Sequence, residues 1–245
     1  MTQAFQALLI RDFMTAYGRT PLGVLWAVAE PVIGIALLTL VFSQISSVPP
    51  MGSSYPLFYA TGYLPFLFFS SLQARVMNAV RQSKPVMSHA KVSFFDVILV
   101  RTVLQTLIMT SVMIVVYGGI WALYQPPERL DAGVMSLFLV SAVFTASGVG
   151  VLNSGIIAVF PPWEKVWTVM MRPLFLISGV FYPFAAMPPA LQDALWWNPV
   201  LHLVGMNREA VYQGYEASYI SPLFLLFVGL TTWTVGTLLM TRRKL

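Results

Sequence analysis

The run FYPFAAMPPALQDALWWNPVLH, Phe181 to His202, is almost free of charge yet is interrupted by Pro183, Pro188, Pro189 and Pro199. A proline inside a helix removes a backbone donor and clashes with the preceding turn. The run is oily enough for a membrane and too broken to cross it as one rod. Its middle, PPALQDALWWNP, reads as a short helix opened by proline, with Leu191, Ala194, Leu195 and Trp197 on or near one face and Asn198 and Pro199 as its stop. About ten residues are too few to span a bilayer and suit a re-entrant or interfacial helix. Irregular backbone at membrane depth is tolerated only where protein or a water-filled cavity satisfies it, so a hairpin near 181–202 is expected to face a path for a polar solute. The other reading is an interfacial belt, with Trp196 and Trp197 at headgroup level.

The rest of the chain agrees with a membrane setting. Of 245 residues, 58% are hydrophobic and only 9% are charged, against about 25% charged in an ordinary soluble domain. The expected class is an all-α integral membrane protein. With no cysteine, a disulfide framework, thiol catalysis and a Cys-ligated metal are excluded, and His89 and His202 leave little for a His-based site. The opening MTQAFQALLIRDF has no basic stretch before an apolar core, so no cleavable signal is expected.

A crossing helix needs roughly 20 apolar residues for a hydrocarbon core about 30 Å thick. Uncharged or nearly uncharged runs lie at Leu22–Phe42 (with Glu30), Pro56–Leu72, Thr102–Leu123, Ala132–Phe160 and Ile220–Met240, and a less uniform one, Thr168–Tyr182, contains Arg172 and ends at Pro183. The expectation is one transmembrane domain, 1–245. It divides into an interface helix at 1–21, spans one to four in 22–160, and spans five and six with the hairpin in 161–245. All lysines and arginines except Arg129 and Arg208 fall on the side of the termini, which makes that side cytoplasmic and explains the net charge of +5 without nucleic acid. Before span one, Phe5, Leu8, Leu9, Phe13, Ala16 and Tyr17 form a helical stripe, with Gln3, Gln6, Arg11 and Asp12 elsewhere on the wheel. That helix is either an interfacial anchor or an elbow that takes force from a partner. In span four, Ala142, Ala146, Gly150, Ser154 and Ala158 mark a close helix contact, expected within the subunit.

A family resemblance enters through particular residues. Arg11-Asp12, Tyr17, Thr20-Pro21-Leu22-Gly23, Trp26 and Glu30-Pro31 resemble the opening of the permease subunits of type-2 ABC exporters that carry polysaccharide. So do YPLFYATGYLPFLFFSS from Tyr55, NAVRQSKPVMSHAKVSFFD from Asn78, and RPLFLISGVFYP through MPP to WNPVLH and Arg208. The order of these pieces is most similar to the capsular polysaccharide, KpsM-type permeases. The resemblance implies the ABC-2 fold: an interface helix, six spans, and short re-entrant helices between spans five and six. It also implies a second copy of the chain, two copies of a separate P-loop ATPase, a lipid-linked polysaccharide as cargo, periplasmic and outer-membrane export components, and the bacterial inner membrane. No GxxxxGK[ST] occurs in the chain, so ATP and Mg belong to the partner and no cofactor is expected here.

A glycan is too long to be occluded around a midplane site, so a continuous channel is expected. Sugar C–H faces rest on aromatic rings while hydroxyls stay wet. Tyr59, Tyr63, Phe66 and Phe69 share one face of span two, and Phe181, Tyr182, Trp196 and Trp197 are candidates at the outer mouth. The alternative is packing in the core or against lipid. Glu30 is the acid inside a span; it faces a cavity, pairs with Arg19 or Arg172, or bonds to backbone freed by Pro31. Arg11, Arg19, Arg75, Arg81, Lys84 and Lys91 are candidates for ATPase coupling or for a lipid phosphate, although the positive-inside bias alone would put them there. His89 reads as a loop residue, and His202 as one that satisfies backbone in the hairpin. Two other readings remain. One is the same architecture with O-antigen, teichoic acid, lipid or drug as cargo; the other is an ion-driven carrier or a membrane enzyme, which would want clustered acids or histidines that the sequence lacks.

Overall fold

The computed structural model describes residues 9–14, 22–83, 92–215 and 217–242. Its regular elements among those residues are all helical: α1 (Leu22–Ser43), α2 (Tyr55–Met77), α3 (Phe94–Tyr124), α4 (Ala132–Val159), α5 (Trp163–Ile177), α6 (Pro189–Leu195), α7 (Pro199–Val211) and α8 (Pro222–Thr241). Residues 9–14 are also helical, and the remainder of the expected 1–21 helix lies outside the described residues, as do Arg19, Lys84, His89 and Lys91.

Among the described residues four helices are long and apolar enough to cross a membrane: Leu25–Ser43, Phe94–Tyr124, Ala132–Val159 and Pro222–Thr241. Helix α2 is long enough, but its tyrosines, serines and Gln73 lower its hydropathy. It tolerates them because it is the central helix: it packs against α1, α3, α4 and α7, and most of its side chains are buried. Helix α5 has 15 residues, and at 1.5 Å per residue it measures about 22 Å, short of a full hydrocarbon core.

Local chemistry sets the helix starts. Ser93 and Asp96 form a reciprocal capping box, so α3 begins at Phe94, well before the expected Thr102. The Asp131 carboxylate accepts from the N–H groups of Gly133 and Val134 and starts α4. Two expectations need correction. The fifth helix runs from Trp163 to Ile177, not Thr168 to Tyr182; Gly179, at φ 77°, turns the chain before Pro183 is reached. Asn198 and Pro199 do not merely stop a helix. Asn198 accepts from Val200 N at 3.0 Å, with Pro199 as the first helical residue, and together they start α7.

Helix α4 packs against α8 and α2. Ala142 and Ala146 are fully buried, and a Cβ at Gly150 would lie 2.6 Å from Val76 of α2, so the small-residue strip is a contact within the subunit. On the α8 side the backbones approach at Gly236, where a Cβ would stand 2.5 Å from the Leu152 nitrogen. The Gly236→Val variant is therefore expected to lose about 1–3 kcal/mol by forcing α4 and α8 apart. A lower thermal unfolding midpoint in detergent checks this; an unchanged midpoint would mean that the two helices do not rely on that approach.

Candidate functional site

The broken run is not one rod. After Ile177 the chain makes a single 3-10 turn at Phe184–Ala186, then α6, then α7. Its ends meet: Asn198 Nδ2 donates to Ser178 Oγ at 3.1 Å and to the Ile177 carbonyl at 3.3 Å. The loop 178–198 is thus closed on itself. It is pinned a second time by Arg208 of α7, which is 1% exposed and donates to the carbonyls of Tyr182 (2.9 Å) and Val180 (3.2 Å). The guanidinium also lies 4.6 Å from the Phe58 ring centroid. Among the described residues no carboxylate pairs with it. Gly62 makes room for this lock, since a Cβ there would stand 2.8 Å from the Val180 oxygen and 3.3 Å from an Arg208 nitrogen.

A second cluster holds the far side of the loop. His202 meets the Trp196 carbonyl through Nε2 at 2.7 Å and accepts from Ser221 N through Nδ1 at 3.2 Å, so it satisfies backbone as expected. Trp196 donates to the Tyr219 carbonyl and packs on Phe224. Tyr219 stacks on Phe184 with ring centroids 4.0 Å apart. Burial, and then the neighbouring Tyr215 hydroxyl, hold the Tyr219 phenol above its ordinary pKa, so it remains neutral.

Between α2 and α5 lies a cavity of about 460 Å³, lined by Tyr63, Phe66, Ser70 and Gln73 on one side and Trp167, Thr168, Arg172 and Phe175 on the other. Aromatic rings extend it without a break. Phe175 contacts Phe66 (4.8 Å), Tyr63 (5.9 Å) and Phe181 (5.1 Å); Phe181 contacts Phe42; Phe42 contacts Tyr59; and Tyr59 contacts Tyr55. At the other end Trp167 donates to Gln73 Oε1 and lies 6.2 Å from Trp163. The groove has a thin outer wall. Helix α5 has no buried residue, and the described side chains of α1 bury only Pro31 and Ile35. Glu30 and Arg172 are exposed on these two helices and form no ion pair among the described residues. Glu30 is one helical turn from Gly34, whose Cβ position lies 2.9 Å from the Tyr63 ring.

Of the residues singled out from sequence, Tyr63, Phe66 and Arg172 share this cavity, while Tyr59 and Phe181 continue it as rings. Phe69, 1% exposed, is a core residue outside the cavity lining, and Tyr182 donates to the Leu176 carbonyl. Trp196 and Trp197 belong to the His202–Phe224 cluster, with Trp197 69% exposed; the fold does not bring them to the groove. Phe42, Phe175, Trp167, Gln73 and Ser70 were not anticipated. Trp167 and Phe175 lie two helical turns apart, a spacing that carried a usable signal.

At the end of the bundle near residues 9–14, Arg101 donates to Asp12 at 3.1 Å and to Gln82 at 2.8 Å, and Arg11 pairs with Asp12 at 2.7 Å. Arg101 also reaches the Arg75 carbonyl. Arg81 is paired bidentately with Glu164. This network ties the first helix, α2, α3 and α5 together at one end.

Residues 3–212 match the family described as ABC-2 type transporter. The chain belongs to that family. Full-length relatives of this ABC-2 chain include the polysialic acid transport protein KpsM of Escherichia coli, 29% identical over 239 residues, covering 98% of this chain and 93% of that protein. The capsule polysaccharide export inner-membrane protein CtrC of Neisseria meningitidis serogroup B is 24% identical over 230 residues, 94% of this chain and 87% of its own. The O-antigen export system permease protein RfbA of Klebsiella pneumoniae is 23% identical over 243 residues, 96% and 89%.

Replacing the buried guanidinium should open the closed loop of this ABC-2 chain. Arg208→Met leaves two carbonyls without donors at a cost of about 3 kcal/mol, and Arg208→Lys should lie between it and the parent. The readout is the rate of limited proteolysis between 178 and 198 together with the thermal midpoint; parental values for Arg208→Met would show that the loop does not depend on the lock.

Proposed function

We propose that the chain is the membrane-spanning subunit of an ATP-driven exporter that moves lipid-linked capsular polysaccharide across the bacterial inner membrane, through a channel formed by two copies. The observation that carries this reading is the aromatic groove between α2 and α5: rings for sugar faces, Ser70, Gln73, Thr168 and Arg172 for hydroxyls and acidic substituents, and no tight polar clamp. In this reading α1 to α4 and α8 supply five crossings, and α5 together with the turn that follows it supplies the sixth. The loop 178–198 and α7 re-enter the outer leaflet, and both termini are cytoplasmic.

The thin wall of the groove supports the second copy. An exposed charge on a membrane helix is costly against lipid. Glu30 and Arg172 stand exposed on α1 and α5, so pairing these two helices across a dimer axis would turn both charges toward an aqueous conduit. Energy comes from two copies of a P-loop ATPase that bind ATP and Mg. The Arg11–Asp12–Arg101 network stiffens the first helix against α3, which suits an element that receives force. Arg75 and Arg81 lie at the same end, where Arg81 serves the Glu164 pair; Lys84 and Lys91, the other candidates for coupling or a lipid phosphate, lie outside the described residues. Periplasmic and outer-membrane components would take the glycan onward.

The likeness to an O-antigen permease supports a second reading, the same architecture with O-antigen as cargo. Analysis of the envelope glycans of a strain lacking the gene separates the two: internal accumulation of capsule polymer fits the first, loss of surface O-antigen the second.

Two outcomes test the channel. Tyr63→Ala and Phe175→Ala should each lower export about tenfold, equivalent to about 1.4 kcal/mol, with normal chain levels in the membrane. Trp197→Ala should leave export near the parental rate; the reverse pattern would remove the groove from the path. Replacing the Walker lysine of the partner should abolish ATP hydrolysis by the purified complex, and hydrolysis by this chain alone would contradict the division of labour.

A further inference from the structure

A second cavity, of about 620 Å³, opens between α3 and α4 away from the aromatic groove. Its walls are apolar: Ile114, Gly118 and Trp121 from α3, and Met135 and Leu139 from α4, with Arg129 at its rim. It reaches from Thr110 to Trp121 along α3, which at 1.5 Å per residue is about 16 Å. That is about half of a 30 Å hydrocarbon core, the depth of one leaflet.

Two observations indicate an occupant from outside the chain. Gly118 and Gly119 sit inside α3, where glycine weakens a helix, yet a Cβ at either position would meet nothing within 4 Å. No packing within the chain accounts for them; at Gly118 the bare backbone forms the wall of the slot. The second observation concerns charge. Glu128, the neighbouring acid, is fully engaged: Oε1 accepts from Ser53 N at 2.8 Å, and Oε2 from Ser53 Oγ at 2.9 Å. Glu128 also lines the cavity, but it makes no ion pair with Arg129, which is exposed and forms no ion pair or hydrogen bond among the described residues. An apolar slot one leaflet deep with a guanidinium that no ion pair holds at its polar end matches an acyl chain joined to a phosphate.

We propose that this slot holds one acyl chain of a membrane phospholipid whose phosphate rests on Arg129. The inference requires α3 and α4 to cross the bilayer as proposed above, and it is independent of which polymer is exported. A bound lipid would seal the open α3–α4 seam on the side away from the conduit.

The test uses the full chain with its partner ATPase, purified from nanodiscs of phosphatidylglycerol and weighed by native mass spectrometry. The parent should retain one phospholipid per chain through a detergent wash that strips bulk lipid. Gly118→Leu, whose Cβ has open space and whose branched end would occupy the slot, should abolish that retention. Arg129→Gln should weaken it about tenfold, the factor that corresponds to one charge-assisted contact. Retention equal to the parent in either variant overturns the proposal, as does a photo-crosslinker at Ile114 that captures a polypeptide in place of lipid. Because the readout is lipid mass, a failure of the export reading leaves this result interpretable.

Discussion

A guanidinium buried to 1% exposure with no carboxylate partner is an expensive thing to keep in an apolar protein. Arg208 offsets that cost by donating to two carbonyls, Val180 and Tyr182, that the turn at Gly179 has left without helical partners. Each side of the bargain needs the other. The carbonyls belong to backbone that proline and glycine have taken out of regular structure, and the cation needs acceptors that only such backbone can offer. Gly62 on α2 and the Phe58 ring complete the cradle, so the loop 178–198 is fixed to the central helix and not merely to its own neighbours.

That attachment sets the geometry of the groove. Phe181 is the residue next to the pinned carbonyls, and it is also the ring that joins Phe175 on α5 to Phe42 on α1. The lock thereby holds the end of α5 beside α2 and keeps the ladder of rings continuous from Tyr55 to the cavity at Tyr63 and Phe66. Between this end and the Arg101–Asp12 network at the other, α5 buries no residue along its length. The exposed Arg172 lies there, facing the same cavity as Gln73 and Thr168.

Much of this was legible before any coordinates. Long uncharged runs gave α1, α4 and α8 nearly to the residue, because apolar length is a local property. The prolines of 181–202 gave the broken character of that run, because a missing backbone donor cannot be compensated by context. The end of α5 was misjudged: Pro183 is visible in the sequence, whereas the left-handed Gly179 acts first. Helix α7 was missed although Asn198-Pro199 is a helix-start pair, since the same two residues also fit a stop. The bonds of Arg208 to Val180 and Tyr182, of Arg101 to Asp12 and of Trp167 to Gln73 were out of reach, because each joins residues far apart in the chain and only packing brings them together. The aromatic face of α2 was half legible: helical spacing put Tyr63, Phe66 and Phe69 together, but the packing of α4 and α5 decided which ring faces a cavity and which faces the core.

The most direct measurement exploits the absence of cysteine from the chain. With Ser178 and Asn198 both replaced by cysteine, one sulfur takes the place of Ser178 Oγ and the other stands one bond short of Asn198 Nδ2, two atoms that now lie 3.1 Å apart, so the thiols are neighbours. Oxidation in native membranes should then join them and protect both from a maleimide label. If both cysteines remain free to react after oxidation, the chain does not close on itself between these positions, and the pinned loop, the ladder it supports and the conduit built on that ladder are all contradicted.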